Sequence, residues 1–441
     1  MSSTNKKNAC SSVVTHEGGN ASRVKKEEEL SRSIMSCLLW EDGFYEDGET
    51  IAERITRLTK EIEPMKAKLL LREAKFENKL RHTPLLMLTA LAEAGTLEKE
   101  LVAEVCTRAD DMTELLSIYW KNGKKPLSRQ LQKGIALAFK KFDEYNLAKY
   151  NRDKNVKLRD VLRITHPHPD NDKQSELFKR VLTDSLEIPD TWEVAISASR
   201  NANEKKAAFE RLITEGKLGD LAFVRNIRKM NEVGVDSKII KDSFAKRNWR
   251  YILPFQFVTS ARYNPSFEPQ LEEAMLKCLD SSEKYEGEVS VLVDVSGSMK
   301  EPVSVNSETR RIDVASGLAI LARETFTNVD FFKFTSKAVQ VPARRGFALR
   351  DVIGSACGST SMWNSIRESG KNKRRKVVIV ITDEQTTDSG RFSDANADLL
   401  VIINVSPNKN GVCYEPGVIH INGWSENVIT FLMKYLKINK I

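Results

Sequence analysis

The hydrophobic rhythm of the chain changes once, near residue 285. Before that point apolar residues return every third or fourth position, as in Ile51, Ile55 and Leu58, in Pro84 to Ala92, in Leu101 to Cys106 and in Met112 to Tyr119, with Gly, Pro or Asn between the runs. That spacing puts the apolar side chains on one face of a helix. Short amphipathic helices with no sheet to cover them must cover one another, which predicts helix pairs stacked as an α-solenoid over residues 31–285. No fixed repeat period is visible, so any repeats are degenerate. After 285, runs of Val, Ile and Leu read as strands at Val289–Val293, Val329–Phe334, Val377–Ile381, Leu399–Val405 and Val418–Ile421. Helical patterns fall between or after them at Ile312–Phe326, Ser361–Glu368 and Glu426–Leu436. Alternation of this kind predicts a doubly wound α/β domain over 286–441, with a mostly parallel sheet covered on both faces. Residues 1 to about 30 carry few apolar side chains and end in Lys25-Lys26-Glu27-Glu28-Glu29, which reads as a flexible tail.

Charge sharpens this division. The formal net charge is +8, and the segment Lys121 to Arg180 alone holds 16 Lys and Arg against 7 Asp and Glu. The positive field is therefore local to the helical part. Within it Lys140, Lys141, Lys149, Arg152, Lys154, Lys157, Arg159 and Arg163 are interleaved with Tyr145 and Tyr150. Cations for phosphates and planar rings for stacking are what single-stranded or structured RNA requires. A run of lysines equally describes a solvated helix face. The six cysteines are scattered, with no Cys-x-x-Cys pair, and no apolar run approaches the roughly 18–20 residues of a membrane span. These features lead us to expect a cytoplasmic protein that does not enter a membrane.

The second candidate site is Asp294-Val295-Ser296-Gly297-Ser298, at the carboxyl end of the first strand of the α/β part. Ligands bind along that edge in open α/β sheets. Thr360 lies in the small-residue loop Gly358-Ser359-Thr360-Ser361, and Asp383 ends the strand Val377–Ile381. Hydroxyls, carboxylates and water suit a hard cation such as Mg2+. The same residues could also serve only as caps and turns. In this order they resemble the metal-ion-dependent adhesion site of von Willebrand factor A domains. The resemblance implies that Ser296, Ser298 and Thr360 hold the metal directly or nearly so, Asp294 and Asp383 act mainly through water, and an acidic partner group completes the shell. Where the family often has Asp after the threonine, this chain has Ser361.

Several stretches of the helical part carry a further resemblance: Trp120 with the basic helix through Phe139, Leu158 to Pro169, Thr191-Trp192-Glu193, Val224 to Met230, and Ile252-Leu253-Pro254-Phe255. With a carboxyl-terminal A domain, they resemble the Ro autoantigen family, that is, the TROVE module, in its bacterial or phage branch. The resemblance implies a ring of HEAT-like repeats that binds Y-type noncoding RNA on its basic outer surface and the 3′ ends of misfolded RNA through its hole. It further implies a role in RNA quality control or maturation, an exoribonuclease as partner, and a monomer. By motif position Lys149 and His166 face the RNA, with Lys140, Lys141, Arg152 and Arg163 as neighbouring candidates. His166 precedes Pro167 and could instead be a helix-end residue. Arg225, Arg228 and Lys229 form a second, weaker basic group.

Catalytic patterns are missing from the sequence. There is no phosphate loop of the Gly-x-x-x-x-Gly-Lys-Ser/Thr type and no Gly-x-Ser-x-Gly elbow, and the five histidines show no metal-ligand spacing. The expectation is a binding protein and not an enzyme. The alternative is an adaptor that grips an acidic protein group through the cation site, and a metal-dependent hydrolase is a distant third.

Overall fold

The computed structural model describes residues 13–14, 20–21, 25–35, 51–78, 80–151, 154–249, 252, 254–279, 284–303, 308–406, 418–422 and 427–439. Two compact units divide these residues. One consists of Lys26–Ile34 and Glu49–Arg247, and the other is built on Asn248–Ile441.

The first unit is helical among its described residues. Its helices are α1 (Lys26–Ile34), α2 (Ile51–Glu61), α3 (Pro64–Arg72), α4 (His82–Glu93), α5 (Lys99–Val105), α6 (Ala109–Tyr119), α7 (Arg129–Phe139), α8 (Glu144–Tyr150), α9 (Leu158–Thr165), α10 (Asp172–Leu182), α11 (Trp192–Ala198), α12 (Ala202–Thr214), α13 (Asp220–Glu232) and α14 (Ser237–Phe244). Helix α2 packs on α4, α4 on α6, α5 on α7, α7 on α9 and α12 on α14. This next-but-one packing is how stacked helical hairpins bury the apolar faces that no hairpin covers alone. Local signals set the ends: Ser128, Asp143, Asn171, Thr191 and Asn201 each accept a backbone N–H from the first turn of the helix that follows. Helix α1 starts inside the charged run read from sequence as tail, because Leu30 and Ile34 reach the core. The short strands β1 (Val13–Val14) and β2 (Asn20–Ala21), earlier in that stretch, pair antiparallel and group with the other unit.

Gly134 lets α7 approach α5. A Cβ placed there would lie 2.5 Å from Val102 Cβ and 2.7 Å from the Lys99 carbonyl oxygen. We expect Gly134→Ala to lower stability by about 1–3 kcal/mol, because forcing the two helices apart outweighs the gain in helix propensity. A urea melt followed by circular dichroism tests this, and an unchanged or raised midpoint would refute the close packing.

The second unit begins with α15 (Pro254–Tyr263) and α16 (Glu268–Leu279) and continues as a six-stranded sheet. Its strands are β3 (Tyr285–Asp294), β4 (Phe326–Phe334), β5 (Ala338–Val341), β6 (Arg375–Thr382), β7 (Ala397–Asn404) and β8 (Val418–Asn422), in the order β5-β4-β3-β6-β7-β8. All neighbours are parallel except β4 and β5. The remaining helices are α17 (Arg311–Thr325), α18 (Phe347–Ile353), α19 (Met362–Gly370) and α20 (Asn427–Asn439). Leu292, Val380 and Ile402 share a core with Met362, Trp363 and Ile366 of α19. The intervening Val291, Ile379 and Ile403 are also fully buried. Burial of both parities explains the unbroken apolar runs of these strands.

The expected boundary near 285 marks the start of the sheet, whereas the compact unit begins at Asn248, because α15 packs on α17. Gly317 of α17 makes that approach possible, since a Cβ there would sit 3.0 Å from the Phe255 backbone nitrogen. The edge strand β5 and the helix α18 were not read from the sequence.

Candidate functional site

The serine–aspartate site forms where β3 and β6 end side by side, through the register that sets Val293 opposite Ile381. Asp294 and Asp383 are both fully buried. Asp294 Oδ1 accepts the Ser296 backbone N–H at 2.8 Å, and Oδ2 accepts the Thr382 hydroxyl at 2.6 Å. The turn that follows β3 therefore closes on its own carboxylate. Ser296 Oγ and Ser298 Oγ lie 3.2 Å apart. Neighbouring oxygens in an octahedral Mg2+ shell, at about 2.0–2.1 Å from the ion, stand roughly 3 Å apart, so this pair is spaced for one cation.

The threonine loop is fastened to the serine loop by backbone. Gly297 N–H donates to the Gly358 carbonyl at 2.9 Å, and Cys357 N–H to the Val295 carbonyl at 2.6 Å. Two glycines allow this: Gly358 has a φ of +81°, and a Cβ on Gly297 would stand 3.3 Å from the Gly358 oxygen. Thr360 is buried, and its carbonyl accepts both the backbone N–H (3.1 Å) and the hydroxyl (2.7 Å) of Thr387, which tie it to the segment after Asp383. Ser361 donates its N–H to the Thr335 carbonyl at 2.8 Å and accepts the Ser365 hydroxyl on its own carbonyl at 2.9 Å. Three loops thus bring all five sequence-predicted residues to one edge.

The electrostatics are those of a site short of positive charge. Burial, helped by the negative charge of Asp383, pushes the Asp294 carboxyl up to about 6. Arg311, at the start of α17, donates from Nη1 to Asp383 Oδ2 at 2.8 Å and to the Ser298 carbonyl at 3.3 Å. Behind the site Glu384, held at a φ of +58°, meets His420 of β8 in a buried pair. Sequence reasoning missed Thr382, Arg311, Glu384 and His420. Thr382 was findable as the polar residue beside Asp383. No cluster of three or more His, Cys, Asp or Glu suited to a metal occurs among the described residues, so the donors here are chiefly hydroxyls.

The basic residues of the helical unit are placed less uniformly. Lys140, capping α7, pairs with Asp170, and Lys141 donates to the Ala103 carbonyl. Lys154 pairs with Glu114, and Arg180 with Glu144 at 2.5 Å. Part of the positive segment is therefore already paired with acids of the same unit. Lys149 and Arg163 make no ion pair with a described residue. Lys149 lies 5.8 Å from the centre of the Tyr145 ring and 5.6 Å from that of Tyr150, and Tyr145 is half exposed. A cleft of about 810 Å³ opens beside Lys149, lined also by Tyr145, Ile188 and Trp192 and by the acids Glu144, Glu187, Asp190 and Glu193. Arg163 is exposed in the last turn of α9. His166 caps α9 in the left-handed conformation, with a φ of +47°, and its backbone N–H returns to the Leu162 carbonyl at 3.0 Å while its ring is exposed. It is thus a helix-end residue whose imidazole remains available. Arg152 lies outside the described residues. In the second basic group Arg228 and Lys229 share Glu232, each at 3.1 Å.

Fold and site together define a two-unit protein: stacked helices that present cations, and an α/β unit with a hydroxyl-rich oxygen site. Residues 183–303 match the family described as "TROVE domain", a span that runs from the end of α10 through the Asp294–Ser298 loop. Among solved structures, the crystal structure of the Deinococcus radiodurans Ro (RSR) protein is similar, with a TM-score of 0.63 and 16% identity over 91% of this chain and 97% of that one. No curated protein matches the sequence. The chain thus carries a TROVE-domain match over residues 183–303 and shares its fold with that structure. No helix among the described residues is long and apolar enough to cross a membrane.

Proposed function

We propose that this chain is a noncoding-RNA-binding protein of the Ro type, which holds structured Y-type RNA and the single-stranded 3′ ends of misfolded RNA. The observation that carries this reading is Lys149: in the most basic segment of the chain, it is a cation without an acidic partner among the described residues, set over two tyrosines beside an open cleft. Ammonium for phosphate and aromatic planes for bases are the elements of single-strand and loop recognition. Arg163 and His166 extend the contact, whereas Lys140 and Lys141, engaged within the protein, contribute less. The protein acts as a monomeric scaffold in the cytoplasm, delivering RNA to an exoribonuclease, and is not itself an enzyme. Lys149→Ala should weaken RNA binding across sequences and reduce the slope of log affinity against log salt by about one. Fluorescence anisotropy at several salt concentrations reads both, and an unchanged slope would remove Lys149 from the interface.

A second reading of the other unit is favoured by the paired serine hydroxyls. We infer that it is a von Willebrand A domain whose site takes Mg2+, with Ser296, Ser298 and Thr360 as direct ligands and Asp294 and Asp383 acting through water. The buried carboxylates and the 3.2 Å hydroxyl pair fit such an ion. When bound, the ion would offer a coordination position to an acidic group of a protein partner. The chain's own contribution is to hold the oxygens in place, through the Asp294 hydrogen bonds to Ser296 and Thr382 and the Gly297–Gly358 contact.

A further inference from the structure

Arg311 stands in the middle of the cation site. Its side chain is 11% exposed, and its Nη1 bridges the two elements that an ion would bridge, Asp383 at the end of β6 and the serine loop at the Ser298 carbonyl. No other acid among the described residues pairs with it, and its Nε is enclosed without a partner. The guanidinium is therefore held by the site's own ligands and by little else.

We propose that Arg311 is the resident cation of this site, so that a divalent ion binds only by displacing the guanidinium from Asp383. This rests on the reading of the serine–aspartate cluster as a cation site. The reason is competition for the same oxygen. Asp383 Oδ1 accepts the Gln385 N–H at 3.4 Å and Oδ2 the Arg311 guanidinium at 2.8 Å, so an ion that drew on Asp383, directly or through water, would compete with Arg311 for Oδ2. Charge adds to the competition. Two ionised aspartates and one guanidinium sum to minus one, and adding a divalent ion with the guanidinium in place leaves plus one in a buried pocket. The loaded site would be balanced when the guanidinium swings out. A site of the same oxygens without this arginine would be neutral with the ion alone.

The test is a Mn2+ titration of the full chain, with free Mn2+ read by electron paramagnetic resonance, for the wild type, Arg311→Gln and Arg311→Lys. Arg311→Gln should bind Mn2+ about tenfold or more tightly than the wild type, and Arg311→Lys, which keeps the charge, should remain close to it. Adding Asp383→Asn to Arg311→Gln should abolish the gain. Equal affinity in wild type and Arg311→Gln overturns the proposal while leaving the cation site standing. No binding in any variant overturns the cation reading, and the proposal with it. A measurement on the unmodified protein covers the case in which Arg311→Gln does not fold: Mg2+ should shift the Arg311 Nε–H signal in a nitrogen-15 NMR spectrum. Saturation with Mg2+, seen by calorimetry, without any movement of that signal would contradict displacement.

Discussion

Reversing two cations that hold no ion pair with a described residue, Lys149→Glu with Arg163→Glu, should weaken binding to a structured RNA on the order of a hundredfold at physiological salt. Each substitution removes one attraction to phosphate and adds a repulsion, and neither residue holds an ion pair with a described residue, so no internal salt bridge is lost. The same double reversal at Lys140 and Lys141 should cost RNA binding less and stability more, because Lys140 pairs with Asp170 and Lys141 donates to the Ala103 carbonyl. The comparison separates recognition at particular positions from a general positive field, which would penalise the two pairs alike. Equal losses from both variants, with thermal stability intact, would contradict the assignment of Lys149 and Arg163.

The second large effect concerns Asp294. In protein stripped of divalent cations, Asp294→Asn should raise the melting temperature at pH 7.5 by several degrees, and it should abolish the further rise that Mg2+, if the proposed site binds it, should give the wild type. The folded carboxyl titrates near 6, above its ordinary 3.8. A carboxyl with a raised folded value favours the folded state only while it is protonated. That contribution is complete below about 3.8, falls as the pH passes through 6, and is absent at pH 7.5. The penalty at neutral pH is of the order of 2–3 kcal/mol, part of which asparagine relieves while keeping an oxygen for the Ser296 N–H. A divalent ion relieves the same penalty by neutralising the charge, which the asparagine variant no longer needs. A lower melting temperature for Asp294→Asn in chelator would show that the carboxylate is not under strain there.

The sequence showed these sites unevenly, for physical reasons. Asp294, Ser296 and Ser298 are contiguous and follow a run buried on both faces, so the strand, its end and its loop could be read together. Thr360 and Asp383 were found only because the family pattern joins distant positions; their neighbour Arg311 stands 72 residues from Asp383, and no local signal announces that pair. The pairing within the basic segment is hidden for the same reason. Lys140 meets Asp170 and Lys154 meets Glu114, 30 and 40 residues away, and such pairing is set by helix stacking and not by composition. Helix α1 hid inside a charged run because two buried apolar residues, Leu30 and Ile34, suffice to anchor it. Strand β5 is four residues long at the sheet edge, with Val339 half exposed, so its apolar pattern is too short to stand out. His166 was read as either a helix end or an RNA contact; it caps α9 and also leaves its ring exposed, which keeps both roles compatible.

The most direct test of the account is binding of the purified protein to a small structured RNA with a single-stranded 3′ tail, titrated from low to physiological salt against an unrelated duplex competitor. Tight binding that survives the competitor and weakens in Lys149→Ala is the result this account predicts. Weak binding that collapses with salt and shows no preference for the tailed RNA would contradict it.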